Sequence, residues 1–313
     1  MRAFAFDQFD TPGSVQELPQ PEPEAGQVRV RVATAGINPA DVGVIKGFYK
    51  DMMEHHFPLV PGLDFAGTVD AVGESANGWT VGDEVFGGVG KMVWGEGTLA
   101  EYATASASTI AHRPNNIDLE FAAALPLAGL SALQSVEPMA LKQGDVVVVL
   151  GAAGGIGGFT VQLAKGLGAH VIAVTRAVNH EYVKGLGADE AVDYTTQDVH
   201  DTISAPHPEG VAAIVHTAGD KDYLAHLSEL VREGGHVASM VGGADIEGLA
   251  KRGVTGLNVV TQTTGKALGQ LTGLVAGGTL KRPQIKAFSL QQAADAYEEI
   301  GSGHVRGKLV VTP

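Results

Sequence analysis

The chain of 313 residues contains no cysteine. Disulfides, thiolate nucleophiles and cysteine-ligated zinc are therefore excluded at the outset. It has no run of about 18 apolar residues of the kind that crosses a bilayer. Its opening MRAFAFDQFD lacks the apolar centre of a secretory leader. These absences predict a cytoplasmic protein with no membrane partner. Basic residues are the scarcer charge, 21 Lys and Arg against 35 Asp and Glu, for a formal net charge of −14. No block of Lys or Arg marks a groove for nucleic acid, and the acidic balance opposes any polyanionic partner.

What is present begins with VVVVLGAAGGIGG, residues 146–158. A continuous apolar run ends at Gly151, passes a glycine-rich turn and enters a helical pattern carrying Val161, Leu163, Ala164 and Leu167. Strand, glycine turn and helix make a dinucleotide-binding unit. Gly151 permits the tight turn, Gly154 and Gly155 admit a pyrophosphate to the backbone, and Gly157 lets helix and strand pack closely.

The length allows about two domains. The first hundred residues read as short strands (Arg2–Phe6, Gln27–Ala33, Phe65–Val72, Glu84–Phe86, Ala100–Ala103) between Gly- and Pro-rich breaks. The alternation in VRVRV places one face in a core and one in water, as in an antiparallel barrel. From about Leu119 the texture changes. Phe121–Val136 reads as helices interrupted at Pro126 and Gly129. Strands (Val146–Leu150, Val171–Thr175, Glu190–Asp193, Gly210–His216, His236–Met240) then alternate with helices (Ile156–Leu167, Asn179–Leu186, Asp220–Val231). A strand at Leu257–Thr261 and a helix at Gly265–Ala276 extend this βαβ rhythm, which predicts a doubly wound parallel sheet. The tail returns to barrel texture with Gln284–Phe288 and Lys308–Val311, around a helix started by the capping box Ser289–Gln292. The fold class expected is α/β, with a Rossmann sheet at 121–279 inserted in a barrel domain at 1–120 and 280–313, and the site in the cleft between them.

Several segments, in order, resemble the zinc-free quinone oxidoreductase branch of the medium-chain dehydrogenase/reductases. They are AGINPAD (35–41), PLVPGLDFAGTVDAVGE (58–74), VGDEVFG (81–87), LPLAGLSA (125–132), the glycine turn, LGADEAVDY (186–194) and GHVRGKLVV (303–311). The resemblance implies a GroES-like barrel domain, a Rossmann domain and a homodimer joined along the sheet edge near Val254–Thr261. Where zinc-dependent relatives carry Cys and His ligands, this chain has Asn38 and Leu63, and the cysteine-rich structural lobe has no counterpart in residues 87–98. No metal is expected, since a catalytic zinc needs three protein ligands and an open position. The adjacent His55–His56 reads as a solvated loop.

The second strand of the dinucleotide unit ends in Thr175–Arg176, with no carboxylate for a ribose 2′-hydroxyl. A hydroxyl and a guanidinium suit a 2′-phosphate instead, so NADPH is the expected cofactor, an exposed surface cation being the other reading of Arg176. Tyr194 resembles the family's residue near the same phosphate. By the resemblance the cofactor set comprises Asn38, Leu130, Gly154, Gly155, Ile156, Gly157, Thr175, Arg176, Tyr194, Thr217, Val241, Gly242, Gly243, Val260, Thr261 and Lys308. For Lys308 the alternative is a solvent-exposed side chain.

Without zinc, the acceptor must stabilise its own developing charge, as a quinone or an α,β-unsaturated carbonyl does by conjugation. The catalytic candidates are Asn38, at the lost ligand position, and Tyr49, where related reductases place an aromatic ring over the substrate. A buried structural Asn and a packed tyrosine are the respective alternatives. Asp41 and Asp64 read as structural hydrogen-bonding groups, and no proton-transfer role is assigned to His216. Pocket side chains are expected from loops 47–57 and 88–98. The expected activity is hydride transfer from NADPH to a small-molecule quinone or enone. A narrower enoyl or alkenal reductase and a non-catalytic NADPH-binding protein are the alternatives.

Overall fold

The computed structural model describes residues 1–90 and 93–313. The expectation that loop 88–98 lines a substrate pocket falls in part on Lys91 and Met92, outside the described residues. Two compact units divide the chain. The first comprises residues 1–128, 263–276 and 284–313, and the second 129–262 and 277–283. Among the described residues no helix is long and apolar enough to cross a membrane.

The chain opens with strands β1 (Arg2–Ala5), β2 (Ser14–Glu17) and β3 (Gln27–Ile37), then the short helix α1 (Pro39–Ile45). Strands β4 (Glu54–Val60), β5 (Asp64–Val72), β6 (Glu84–Gly88), β7 (Val93–Glu96), β8 (Tyr102–Ser106) and β9 (Ile110–His112) follow. β3 carries the architecture of this unit. Along VRVRV, Val28, Val30 and Val32 are buried while Arg31 is exposed, the alternation that the sequence predicts. Register shifts between Arg29 and Val30, and between Val32 and Thr34, bend the strand as it pairs with β5. It also pairs with β8.

Helices α2 (Leu119–Ala124) and α3 (Pro126–Val136) lead toward the second unit. Pro126 opens α3, where its missing N–H costs nothing, and the helix runs through Gly129 without the expected interruption there. The second unit then lays down β10 (Val146–Leu150), α4 (Gly155–Gly166), β11 (His170–Val174), α5 (His180–Gly185), β12 (Glu190–Val192), α6 (Val199–Ser204), β13 (Val211–His216), α7 (Lys221–Ser228), β14 (Val231–Ser239), α8 (Ile246–Lys251) and β15 (Thr255–Asn258). All pairings are parallel, in the order β12-β11-β10-β13-β14-β15. Val148, Leu150 and Ile172 pack into one core and Val147, Val149 and Val171 into another, so the apolar run VVVVL is buried on both faces. The helix expected to reach Val231 stops at Ser228, because Val231 already opens β14 and pairs with Val211.

Helix α9 (Gly265–Ala276), strand β16 (Ile285–Ser289), helix α10 (Ala293–Gly301) and strand β17 (Lys308–Thr312) complete the first unit. The capping-box donor is in place, with the Ser289 N–H bonded to Gln292 Oε1 at 3.1 Å. β17 pairs antiparallel with β3, matching Leu309 to Ile37, so the sheet order is β16-β17-β3-β5-β6-β9. The unit boundaries differ from 120/121 and 279/280. α9 groups with the first unit, and the Gly265 N–H donates to the Ser108 carbonyl at 2.7 Å.

Candidate active site

In the second unit, the glycine turn lies at the carboxyl end of β10. β10 sits between β11 and β13, the point at which the strand order reverses and where ligands of open α/β sheets bind. Gly151 has φ +76°, and a Cβ there would meet Thr217 Oγ1 at 2.6 Å. A Cβ on Gly157 would stand 2.2 Å from the Gly151 carbonyl oxygen, so helix and turn approach to a distance only glycine permits. Helix α4 starts at N-cap Gly154 with no side-chain cap, leaving first-turn N–H groups for an anion. The residues present thus fit a dinucleotide pyrophosphate.

The neighbouring strand ends supply the rest. Thr175 is buried, and its Oγ1 accepts from Asn179 Nδ2 at 3.2 Å. Its hydroxyl is thus already engaged within the loop. Arg176 is half-buried, and its guanidinium has no ion pair among the described residues. Tyr194 is exposed just past β12. Next to it Asp193, buried and unforeseen from the sequence, accepts from the Thr195 N–H and hydroxyl at 3.0 and 2.7 Å. Those bonds hold its carboxyl below the usual range. The Thr217 hydroxyl donates to the Leu150 carbonyl at 2.7 Å and thereby braces the glycine turn.

The loop after β14 is built by two residues that sequence reasoning did not single out. Ser239 Oγ accepts from the N–H groups of Val241 and Gly243 and bonds His216 Nδ1 at 3.0 Å. Asn258 grips Ala244 from the other side through both its N–H and its carbonyl, each at 3.0 Å. A serine closing a strand before Val-Gly-Gly was the readable signal, since its hydroxyl competes for nearby backbone N–H groups. His216 is fully buried, and burial lowers its pKa, keeping it neutral. Val260 is exposed, Thr261 bonds Ser131 Oγ at 2.6 Å, and Leu130 is fully buried. The carboxyl ends of β10, β11, β13 and β14 therefore carry Gly154–Gly157, Thr175, Arg176, Thr217 and Val241–Gly243 together. Leu130 and Val260 stand apart on α3 and beyond β15.

In the first unit, Asn38 and Lys308 meet. Asn38 caps α1, accepting Lys308 Nζ on Oδ1 at 2.5 Å and donating Nδ2 to Asp64 Oδ2 at 2.9 Å. Lys308 also donates to the Ile37 carbonyl at 2.9 Å, and Asp64 accepts the Leu127 N–H at 3.1 Å. Asp41 takes the Asn38 N–H on Oδ2 at 2.8 Å, while its Oδ1 is buried with no partner. All four side chains are at most 4% exposed. Lys308 is thus not the solvent-exposed lysine of the alternative reading. The register of β17 on β3 draws its stem into the core, and the buried carboxylates and carbonyls hold its head.

The charges of this cluster do not balance. One ammonium faces two carboxyls, so the less well solvated carboxyl keeps its proton. Burial, together with the nearby Asp64 charge, pushes Asp41 up to about 7, against the pull of the Asn38 N–H and Lys308. Burial raises Asp64 to about 6, opposed by Lys308, Asn38 and the Leu127 N–H. Burial lowers the Lys308 pKa, opposed by the two carboxyls. Tyr49 is half-buried after α1, its ring so close over Gly43 that a Cβ there would meet Cε2 at 2.9 Å. His55 packs between Phe9 and Phe57 instead of lying in a solvated loop, with ring centroids 4.7 and 5.6 Å away.

Residues 24–115 match the family described as the alcohol dehydrogenase GroES-like domain, and residues 186–311 match the zinc-binding dehydrogenase family. The chloroplast envelope quinone oxidoreductase homolog of Arabidopsis thaliana is 32% identical over 311 residues, covering 95% of this chain and 93% of its own. The chain belongs to the quinone oxidoreductase-like medium-chain dehydrogenase/reductases. Another member, the chloroplastic NADPH-dependent alkenal/one oxidoreductase of Arabidopsis thaliana, is 32% identical over 302 residues, covering 94% of this chain and 74% of its own. The solved quinone oxidoreductase of Coxiella burnetii superposes with a TM-score of 0.89 at 31% identity, covering 100% of this chain and 99% of that one.

A zinc description attaches to one matched family, and the donor set here does not fit it. Where the resemblance places zinc ligands stand Asn38, bonded to Lys308 and Asp64, and the apolar Leu63. A buried ammonium bonded to Asn38 repels a dication.

Proposed function

We propose that this chain is a zinc-independent oxidoreductase that uses NADPH to reduce a quinone or an α,β-unsaturated carbonyl. The observation that carries the reading is the uncapped amino end of α4 at the switch point, beside Arg176 in place of a carboxylate. The cofactor supplies a hydride from its nicotinamide ring. The Gly154–Gly157 backbone and the first turn of α4 hold the pyrophosphate, and Arg176 pairs with the 2′-phosphate. Thr217 keeps the turn in shape. The Ser239- and Asn258-braced loop 241–244 presents backbone groups to the nicotinamide end. Asn38 and Lys308 act as a positioning pair that fixes the amino end of α1, and Tyr49 packs against the same helix. The acceptor delocalises its own developing charge, so positioning and water exclusion suffice, and solvent returns the proton.

Support for this acceptor class comes from the relatives, whose names cover quinone and alkenal/one reduction. The test follows NADPH oxidation against a panel of quinones, enals and enones, with and without a zinc chelator. Turnover indifferent to the chelator is expected. Binding of NADPH with no turnover on the whole panel refutes the catalytic reading, and loss of activity on chelation refutes zinc independence. β15 ends the parallel sheet on one side, and we propose that two copies pair along it. A sedimentation mass of one chain would rule that out.

A further inference from the structure

We propose that His170, Glu190 and His207 form a binding site for one divalent transition-metal ion at the amino end of the parallel sheet. Strands β11 and β12 are parallel neighbours, with Ile172 opposite Glu190. His170 precedes Ile172 by two residues, so its side chain and that of Glu190 leave the same face of the sheet. The third group arrives on the loop before β13, in the sequence Pro206-His207-Pro208-Glu209-Gly210. The Gly210 N–H donates to the His207 carbonyl at 2.9 Å, closing a tight turn with proline and glycine at the places such a turn prefers. His207 is therefore delivered on a stiff support.

One donor atom from each residue lies within 4.8 Å of the other two, and His170 Nε2 stands 2.6 Å from Glu190 Oε1. Zinc–nitrogen and zinc–oxygen bonds of the usual length set donors about 3.3 Å apart around a tetrahedral ion. The His170–Glu190 spacing is shorter than that value and the others are at most 4.8 Å, so small side-chain rotations close the site. A second observation points the same way. His207 Nε2 is buried with no hydrogen-bond partner, a cost that a bound ion removes. Asp189 Oδ2 lies 4.0 Å from His170 Nδ1, and its other oxygen pairs with Lys165 Nζ at 2.6 Å. Two imidazoles and a carboxylate, without sulfur, select zinc, nickel or cobalt over calcium or magnesium.

Because the strands run parallel, this cluster lies at the end of the sheet opposite the glycine turn. The ion would act as a clip joining β11, β12 and the approach to β13, with no part in hydride transfer.

The test uses full-length protein without an affinity tag, stripped of metal, titrated with zinc by calorimetry and with cobalt by visible spectroscopy. One equivalent of zinc, low-coordinate cobalt bands and a raised melting temperature are expected. His207→Ala and Glu190→Gln should each weaken zinc binding at least about tenfold, with circular dichroism confirming that both variants fold. A His55→Ala/His56→Ala variant should bind as the parent does. The proposal is overturned by no saturable binding up to roughly 100 µM zinc. It is equally overturned by binding that survives His207→Ala unchanged, or that disappears in the His55/His56 variant. In those cases His170–Glu190 is only a hydrogen-bonded imidazole–carboxylate pair.

Discussion

Replacing Asp41 by asparagine separates a buried neutral acid from a buried charge. Asp41 has one hydrogen bond and a bare oxygen, whereas Asp64 has donors from both Asn38 and Leu127. With a single ammonium in the cluster, Asp41 is the carboxyl that holds its proton. Its pKa rises from an ordinary 3.8 to about 7 on folding. Between those values the folded chain carries a proton that the unfolded chain has released, so stability falls as pH rises from about 4 to about 7. At about 1.4 kcal/mol per unit, the roughly three units make this loss about 4 kcal/mol.

The asparagine amide is isosteric with the protonated acid and does not titrate. The variant should match the parent near pH 4 and exceed it by about 4 kcal/mol near pH 8. Urea unfolding followed by tryptophan fluorescence reads this locally. The chain has two tryptophans, Trp79 and Trp94, and both belong to the first unit. A difference flat with pH to within about 1 kcal/mol, or one that grows toward acid, would refute the charge assignment.

Lys308→Met leaves Asp64, Asn38 Oδ1 and the Ile37 carbonyl without their cation. It should cost about 3–5 kcal/mol at pH 8. The cost should shrink toward pH 5 as Asp64, with its pKa near 6, takes up a proton. The same fluorescence assay reads both, and a pH-independent cost would show that the ammonium does not face ionised carboxylates. Arg176→Ala removes charge-assisted bonds to a 2′-phosphate, so KM for NADPH should rise roughly 10- to 100-fold. KM for NADH should hardly change, and equal effects on the two cofactors would remove the basis for NADPH.

Legibility in the sequence followed how local each cause is. Val146–Leu150 and Gly265–Ala276 are read at their observed limits, because an apolar buried strand and an amphipathic helix capped by Thr264, whose Oγ1 accepts the Ala267 N–H at 3.2 Å, are set by local residues. Strand β4, EHHFPLV, escapes such reading. It has no clean alternation, contains proline, and pairs with β7 and, at Leu59, with Phe6. Helix α1 is seven residues long and too short for periodicity, although Asn38, a proline at the first turn and Asp41 spell its start. The brace on loop 241–244 needs Asn258, which only the neighbouring strand β15 brings alongside.

Lys308 is the instructive case. Near the end of a chain, a lysine between glycine and leucine reads as a surface cation or a cofactor contact. Its burial depends on β17 lying antiparallel to β3, a pairing across 270 residues that puts Nζ on Asn38 Oδ1. Asn38 and Lys308 enter the candidate site on separate grounds in the sequence, yet in the fold they are one unit with Asp64 and Asp41. A substitution at Asn38 therefore cannot be read as loss of a substrate or cofactor contact alone. It also frees the Lys308 ammonium and strips Asp64 of a donor, shifting the ionisation of the whole cluster. A direct contact would be lost at every pH, whereas the cluster's contribution follows the titration of Asp41 and Asp64 between about 6 and about 7. The pH profile of an Asn38→Ala enzyme, set beside that of Lys308→Met, divides the two effects.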